Sequence, residues 1–198
     1  YTGATDNGSV SEMSTNIQKL VSSTTANYTK NFGRHNIGIL AGFEAEKNTT
    51  DYIRATGKDL PNSTLPTVYT PGSLGATAYA WGNTMMSVLS RAEYNFSEKY
   101  FASASFRRDG SSRLSPDSRW GNFWSVSGAW TISQESFLKD ISTIDHLRLK
   151  ATYGVNGTLP TGDFEWRPLV GYGSKYMTLA GGGLSNSANP NLSWERNY

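Results

Sequence analysis

Ser87-Val88-Leu89-Ser90-Arg91-Ala92-Glu93-Tyr94-Asn95-Phe96 runs through Ser97-Glu98-Lys99 into Tyr100-Phe101-Ala102-Ser103-Ala104-Ser105-Phe106-Arg107, alternating two kinds of side chain. Val88, Ser90, Ala92, Tyr94 and Phe96, then Tyr100, Ala102, Ala104 and Phe106, are largely apolar, whereas Arg91, Glu93, Asn95, Ser103, Ser105 and Arg107 are polar. The pattern resumes in Trp120 to Thr131, where Trp120, Trp124, Val126 and Trp130 share one parity and Ser125, Ser127 and Thr131 the other. Successive side chains of a strand point to opposite faces, so a period of two makes one apolar and one polar surface. With aromatics near the strand ends, this is the pattern of a membrane-spanning β-barrel wall, which meets lipid on one side and water or polar protein on the other.

Working outward, Leu147, Leu149, Ala151 and Tyr153 alternate with His146, Arg148, Lys150 and Thr152, and Ile37, Ile39, Ala41 and Phe43 alternate after a short turn at Asn31 to Arg34. Thr15 to Lys30 offers weaker strand character. Asn48 to Asn83, with Pro61, Pro66 and Pro71, reads as a large loop, and Asp109 to Ser118 as a second polar one. Ser133 to Asp145 places Phe137, Leu138, Ile141 and Ile144 at helical spacing and reads as one short helical connector. Gly154 to Pro190 reads as a long Gly-rich connection with an internal strand pair near Phe164 to Val170 and Lys175 to Leu179, before Asn191 to Tyr198 begins a last strand. Short and long connections thus alternate, as in a barrel with short periplasmic turns and long extracellular loops. The fold predicted is all-β, an antiparallel transmembrane β-barrel wall of about seven or eight long strands.

Composition agrees. Among 198 residues there are 11 Tyr, 6 Trp and 20 Gly, a β-rich profile. The mean hydropathy of −0.49 is no objection, because a barrel hides one residue in two in lipid and carries wet loops. Eighteen basic and 16 acidic residues leave a formal charge of +2 with no basic block, so nucleic acid is not an expected partner. Absence of Cys excludes disulfides, thiolate metal sites and thiol nucleophiles. No apolar run reaches the roughly 18 residues of a spanning helix, and Tyr1 to Ser14 has no signal-peptide pattern. The expectation is a mature chain or a piece of a longer one.

Three ordered blocks carry a resemblance. Phe106-Arg107-Arg108-Asp109-Gly110-Ser111-Ser112-Arg113-Leu114 with Arg119-Trp120-Gly121-Asn122-Phe123-Trp124-Ser125-Val126-Ser127 closely resembles the signature of SusC/RagA-type TonB-dependent outer-membrane transporters. Leu147-Arg148-Leu149-Lys150-Ala151-Thr152-Tyr153-Gly154-Val155-Asn156-Gly157 and Asn189-Pro190-Asn191-Leu192-Ser193-Trp194-Glu195 resemble the blocks that follow it. Trp124 departs from the family, which more often has Pro there. The resemblance implies a barrel of about 22 strands closed by a plug, a SusD-like surface lipoprotein as partner, energy from TonB, and import of oligosaccharides or peptides across the outer membrane of a Gram-negative bacterium. Residues 1–198 are then expected to be a middle part of the barrel, with the plug and TonB-binding segment upstream. Two rival readings stand beside it: a soluble β-sandwich carbohydrate-binding module, and a complete small barrel of about eight strands.

No catalytic, metal or cofactor site is predicted. His35 and His146 lie in separate strands without a His-x-x-x-His pattern or carboxylate cluster. Asp109-Gly110-Ser111-Ser112-Arg113 lacks the Gly-x-Ser-x-Gly elbow and suits a turn, and Gly181-Gly182-Gly183 is not set between strand and helix as a phosphate loop requires. The candidate residues are those of the polar faces and the loops. Arg91, Glu93, Arg107, Arg148 and Lys150 are candidates to line the lumen, against a purely structural role in salt bridges. Tyr69, Trp81, Trp166 and Tyr172, with Tyr79 and Tyr176 nearby, are candidates to stack on sugars or contact a lid protein, against simple loop packing.

Overall fold

The computed structural model describes residues 8–61, 67–68, 71–138, 144–177 and 179–198. Among the described residues there are nine strands: β1 Ser9–Phe32, β2 His35–Lys58, β3 Ser73–Phe96, β4 Tyr100–Ser111, β5 Trp120–Thr131, β6 Arg148–Thr158, β7 Leu169–Tyr176, β8 Leu179–Asn186 and β9 Glu195–Asn197. Seven form one sheet in the order β1-β2-β3-β4-β5-β6-β9, and β7 and β8 form a separate hairpin. The pairings β3–β4, β4–β5, β5–β6 and β6–β9 are all antiparallel. The chain divides into two units, Tyr1–Leu20 with Lys47–Asn83, and Val21–Glu46 with Thr84–Tyr198. β1, β2 and β3 contribute to both.

In the second unit the register follows the alternation. Ala92 faces Ala104, Ala104 faces Val126 and Val126 faces Tyr153, while Tyr94 faces Ala102 and Trp130 faces Leu149. The other parity aligns Ser103 with Ser127 and Ser127 with Thr152. The apolar surface is not covered: Val88 is 51% exposed, Val126 47%, Leu149 61% and Tyr153 57%. Among the described residues the buried hydrophobic side chains are Leu114, Phe123 and Val155. A sandwich would bury the apolar face against a second sheet, and the other sheet among the described residues is the β7–β8 hairpin.

Two levels of aromatics border this surface. Toward the tight turns, Phe32 stacks on His35 at 5.1 Å, Phe96 lies 4.8 Å from His35 and 6.3 Å from Tyr100, and Tyr100 lies 6.5 Å from Trp130. Toward the other end stand Trp120, with the Arg108 guanidinium 5.3 Å over its ring, and Trp124, edge-on to Tyr153 at 5.8 Å. Trp120 and Trp130 are ten residues apart in β5, about 33 Å along a strand. At the 35–45° tilt of barrel strands this is about 25 Å along the membrane normal, the height of the apolar band of such barrels.

The turns at this border are short because the backbone is left-handed there. Gly33 has φ +62° between β1 and β2, and Ser97 and Glu98 have φ +54° and +59° between β3 and β4. Lys99 N–H donates to the Phe96 carbonyl at 3.0 Å, and the Asn95 side-chain oxygen accepts from Glu98 N–H at 2.9 Å. These features make a tight turn of three residues, Ser97 to Lys99, between the paired Phe96 and Tyr100, with left-handed backbone at its first two positions.

Several expectations require correction. Asn48 to Asn83 is not one large loop: β2 continues to Lys58 and β3 begins at Ser73, so the connection is 59–72. Each of β1, β2 and β3 has 24 residues, more than twice the roughly 9–11 that cross a bilayer. Asp109 to Ser111 belongs to β4, and Gly154 to Thr158 to β6. Among the described residues of the expected helical connector the helical part is a 3₁₀ turn at Ile132–Gln134, and residues 139–143, with the expected helical position Ile141, lie outside the described residues. The internal strand pair is displaced to Leu169–Tyr176 and Leu179–Asn186, and the last strand is the three-residue β9.

Candidate functional site

The polar face of the second unit is a set of short, mutually satisfied contacts. Arg107 is its centre, donating from Nε to Asp109 Oδ1 at 2.7 Å and from Nη2 to Glu44 Oε2 at 2.8 Å and Ser87 Oγ at 2.9 Å. Asp109 shares the parity of Arg107 two residues along β4, and β2 and β3 bring Glu44 and Ser87. Below this centre the hydroxyls of Ser105 and Ser125, and of Ser103 and Ser127, hydrogen-bond across the strands at 2.7 Å each. Arg91 and Glu93 pair with each other at 2.5 Å, and both side chains are more than half exposed. Arg148 donates from Nε to Thr131 Oγ1 at 2.9 Å and lies 4.5 Å over the Phe101 ring. Lys150 shares the face opposite Ala129. All five polar candidates therefore occupy one surface, and four of them, Arg91, Glu93, Arg107 and Arg148, have named partners on it.

At the end remote from the tight turns, the three sequence blocks meet. Phe123 packs edge-on against Trp194 at 5.1 Å, and Trp194 Nε1 donates to the Arg119 carbonyl at 2.9 Å. Gly121 and Gly157 both lie against the Phe123 ring, where a Cβ would collide with it. Leu114 and Ser115 are buried in the connection between β4 and β5. That connection is tied down by Ser112 N–H to the Thr84 carbonyl at 3.0 Å and Thr84 N–H to Ser112 Oγ at 2.9 Å. Arg113 reaches Asp163 Oδ1 at 2.8 Å and the Pro160 carbonyl at 3.4 Å. The segment expected to be a polar loop is thus the part of this unit where buried side chains concentrate.

The aromatic candidates are dispersed. Trp81, in the first unit, stacks on Tyr79 at 5.3 Å, and Tyr79 stacks on Tyr52 at 4.6 Å. Trp166 lies under the Arg167 guanidinium at 4.4 Å with its indole N–H buried. Tyr172 projects from β7 and is 82% exposed. Tyr69 lies outside the described residues.

Sequence reasoning missed Glu44 and Ser87 as partners of Arg107, because their proximity depends on a register that no local pattern supplies. It also missed Glu135, which follows the 3₁₀ turn. Glu135 accepts from Tyr100 Oη at 2.6 Å and Trp130 Nε1 at 3.1 Å, and Lys99 Nζ lies 3.3 Å away. The Tyr100 hydroxyl foremost, with the Trp130 indole and the Lys99 ammonium, holds the Glu135 carboxyl below the usual carboxylate range. Among the described residues no cluster of His, Asp and Glu is arranged to hold a metal.

No protein-family model matches the chain. A TonB-dependent receptor of Formosa agariphila is 33% identical over 175 residues, 85% of this chain and 17% of that receptor. The TonB-dependent receptor SusC of Bacteroides thetaiotaomicron is 37% identical over 127 residues, 61% of this chain and 13% of SusC. A solved structure of the RagAB peptide transporter superposes with a TM-score of 0.86 at 26% identity, covering 94% of this chain and 21% of that one. The chain spans less than a fifth of the length of these two curated relatives.

Proposed function

Because the chain belongs to the SusC/RagA-type TonB-dependent receptors, we propose that it forms part of the wall of an outer-membrane import barrel, its apolar face in lipid and its polar face on the interior. One observation carries this reading: an uncovered apolar sheet surface bordered by two aromatic levels about 25 Å apart. Residues 1–198 are all barrel on this reading, and the plug and TonB-binding segment are supplied elsewhere in the protein. In hydrocarbon an unpaired backbone amide costs several kcal/mol, so the outer edge of β1 is expected to pair with a further strand.

Transport by such a receptor is gated binding and plug movement powered through TonB, with no bond-making step, and a SusD-like lipoprotein covers the exterior opening. Arg91, Glu93, Arg107, Arg148 and Lys150 face the passage or its plug. Among these, Arg107 is engaged by two carboxylates, which suits it to shaping the wall more than to holding cargo. Trp81, Trp166 and Tyr172, with Tyr69, are proposed to meet cargo or the lid. The cargo is an oligosaccharide or a peptide, and the neighbour described as a peptide transporter favours the peptide.

Residues 1–198 contain no Cys, so single cysteines introduced here, in a complete receptor with any Cys elsewhere replaced, test the reading by labelling on intact cells. Ser105→Cys, Ser127→Cys and Thr152→Cys are expected to react with a small charged thiol reagent, and Ala104→Cys, Val126→Cys and Ala151→Cys to resist it. Equal reactivity of the two sets refutes the wall reading. Uptake of labelled oligopeptides and oligosaccharides by the same cells then separates the two cargo classes.

A further inference from the structure

On the apolar face of β4, β5, β6 and the second-unit part of β3, one side chain is charged, Arg108, which stands opposite Val88 on one side and Asn122 on the other. Its neighbours in sequence are neutralised: Arg107 by Glu44 and Asp109, and Arg113 by Asp163. Among the described residues no carboxylate pairs with Arg108, whose contact is the Trp120 ring at 5.3 Å. A cation on the lipid side of a barrel costs about 2–4 kcal/mol at the midplane and about 0–1 near an interface. Arg108 lies eight residues from Tyr100 along β4, about 27 Å along the strand and about 20 Å along the normal at the usual tilt, so its head sits at the upper aromatic level.

We propose that Arg108, laid on Trp120, is a binding site for the phosphate of an anionic membrane lipid in the leaflet on the side of the long connections. Stacking fixes the guanidinium plane and leaves N–H groups on its edge for a bidentate contact with phosphate oxygens. Asn122 adds an amide beside it, and Met86, 47% exposed on the same face, offers a surface for the acyl chains. The charge the protein leaves unmatched is supplied by the headgroup. This inference rests on the barrel-wall reading.

The test uses the complete receptor in detergent, with retention of two added lipids measured by native mass spectrometry: a diphosphorylated glycolipid, and the same glycolipid stripped of its phosphates. The unaltered receptor is expected to prefer the phosphorylated form about tenfold, the worth of one charged hydrogen bond. Arg108→Ala and Arg108→Gln are expected to abolish the preference, and Arg108→Lys to keep part of it, with each variant checked for barrel closure by heat-modifiable gel mobility. Absence of preference in the unaltered receptor, or its survival in both neutral variants, overturns the proposal. Complete displacement of the lipid by millimolar inorganic phosphate also overturns it, in favour of a free-anion site. Val126→Cys labelling in the same preparation separates the two levels. If that residue is shielded while the neutral variants keep the preference, the lipid site alone falls; if it reacts with the aqueous reagent, the wall reading falls and the lipid site with it.

Discussion

A single methyl group is most costly beside Phe123. Gly121 and Gly157 hold their places because the ring occupies the space a Cβ would need, so Gly157→Ala is expected to destabilise the barrel by about 1–3 kcal/mol through overpacking. Phe123→Leu in the same chain is expected to recover a large part of that loss, because the two substitutions share one space and do not add. Urea unfolding of the reconstituted receptor measures both. Removing the guanidinium in Arg107→Ala leaves Glu44 and Asp109 facing each other's charge without a cation, and a loss of about 1–2 kcal/mol is expected from these part-exposed contacts. Adding Asp109→Asn is expected to recover part of it in the same assay. Half of this cluster was readable from sequence: Asp109 lies two residues from Arg107 on the same face. Glu44 lies 63 residues away, and only the pairing of the strands brings it there.

Among the elements, the hairpins reveal which strands were legible. The lipid-facing parts of β3, β4, β5 and β6 alternate because one face meets hydrocarbon and the other does not. In Asn48 to Lys58 polar residues occupy both parities, and in Ser73 to Asn83 one parity holds only Leu, Ala and Gly, so neither stretch shows the contrast of large apolar and polar faces, and with Pro61, Pro66 and Pro71 between them the sequence mimics a loop. The same cause blurs the first half of β1. The connection between β4 and β5 misled for the opposite reason, since its Ser, Asp and Arg residues satisfy one another and the backbone around Leu114. The β3–β4 turn makes a further prediction. Ser97 and Glu98 both adopt left-handed φ at a cost that Asn-Gly avoids, so Ser97→Asn with Glu98→Gly is expected to stabilise the hairpin by about 1 kcal/mol. At the same rim, Glu135 has its carboxyl pKa lowered in the folded protein, first by the Tyr100 hydroxyl. Its stabilisation is therefore complete above the ordinary carboxylate pKa and is lost as pH falls through the lowered one. A pH series of unfolding midpoints is expected to decline in this acid range, and Glu135→Gln to flatten that limb.

For the whole molecule, the two faces of one strand impose opposite rules. Val126 lies between the aromatic levels, four residues from Trp130 and six from Trp120, so Val126→Arg is expected to cost about 2–4 kcal/mol, while Ser127→Arg on the neighbouring polar position stays within about 1 kcal/mol. Folding yields into lipid vesicles compare the two directly. An equal penalty at both positions contradicts a wall with one greasy side.

The pleat has a consequence for how such a chain can change in length. Adding one residue within β5 exchanges the sides of everything beyond it, sending indoles inward and serines toward the acyl chains. Adding two preserves the sides and moves the later residues one step relative to β4 and β6. Viable changes in this part of the chain are accordingly confined to the connections, or to paired additions within a strand, and the span between Trp120 and Trp130 behaves as text read in twos.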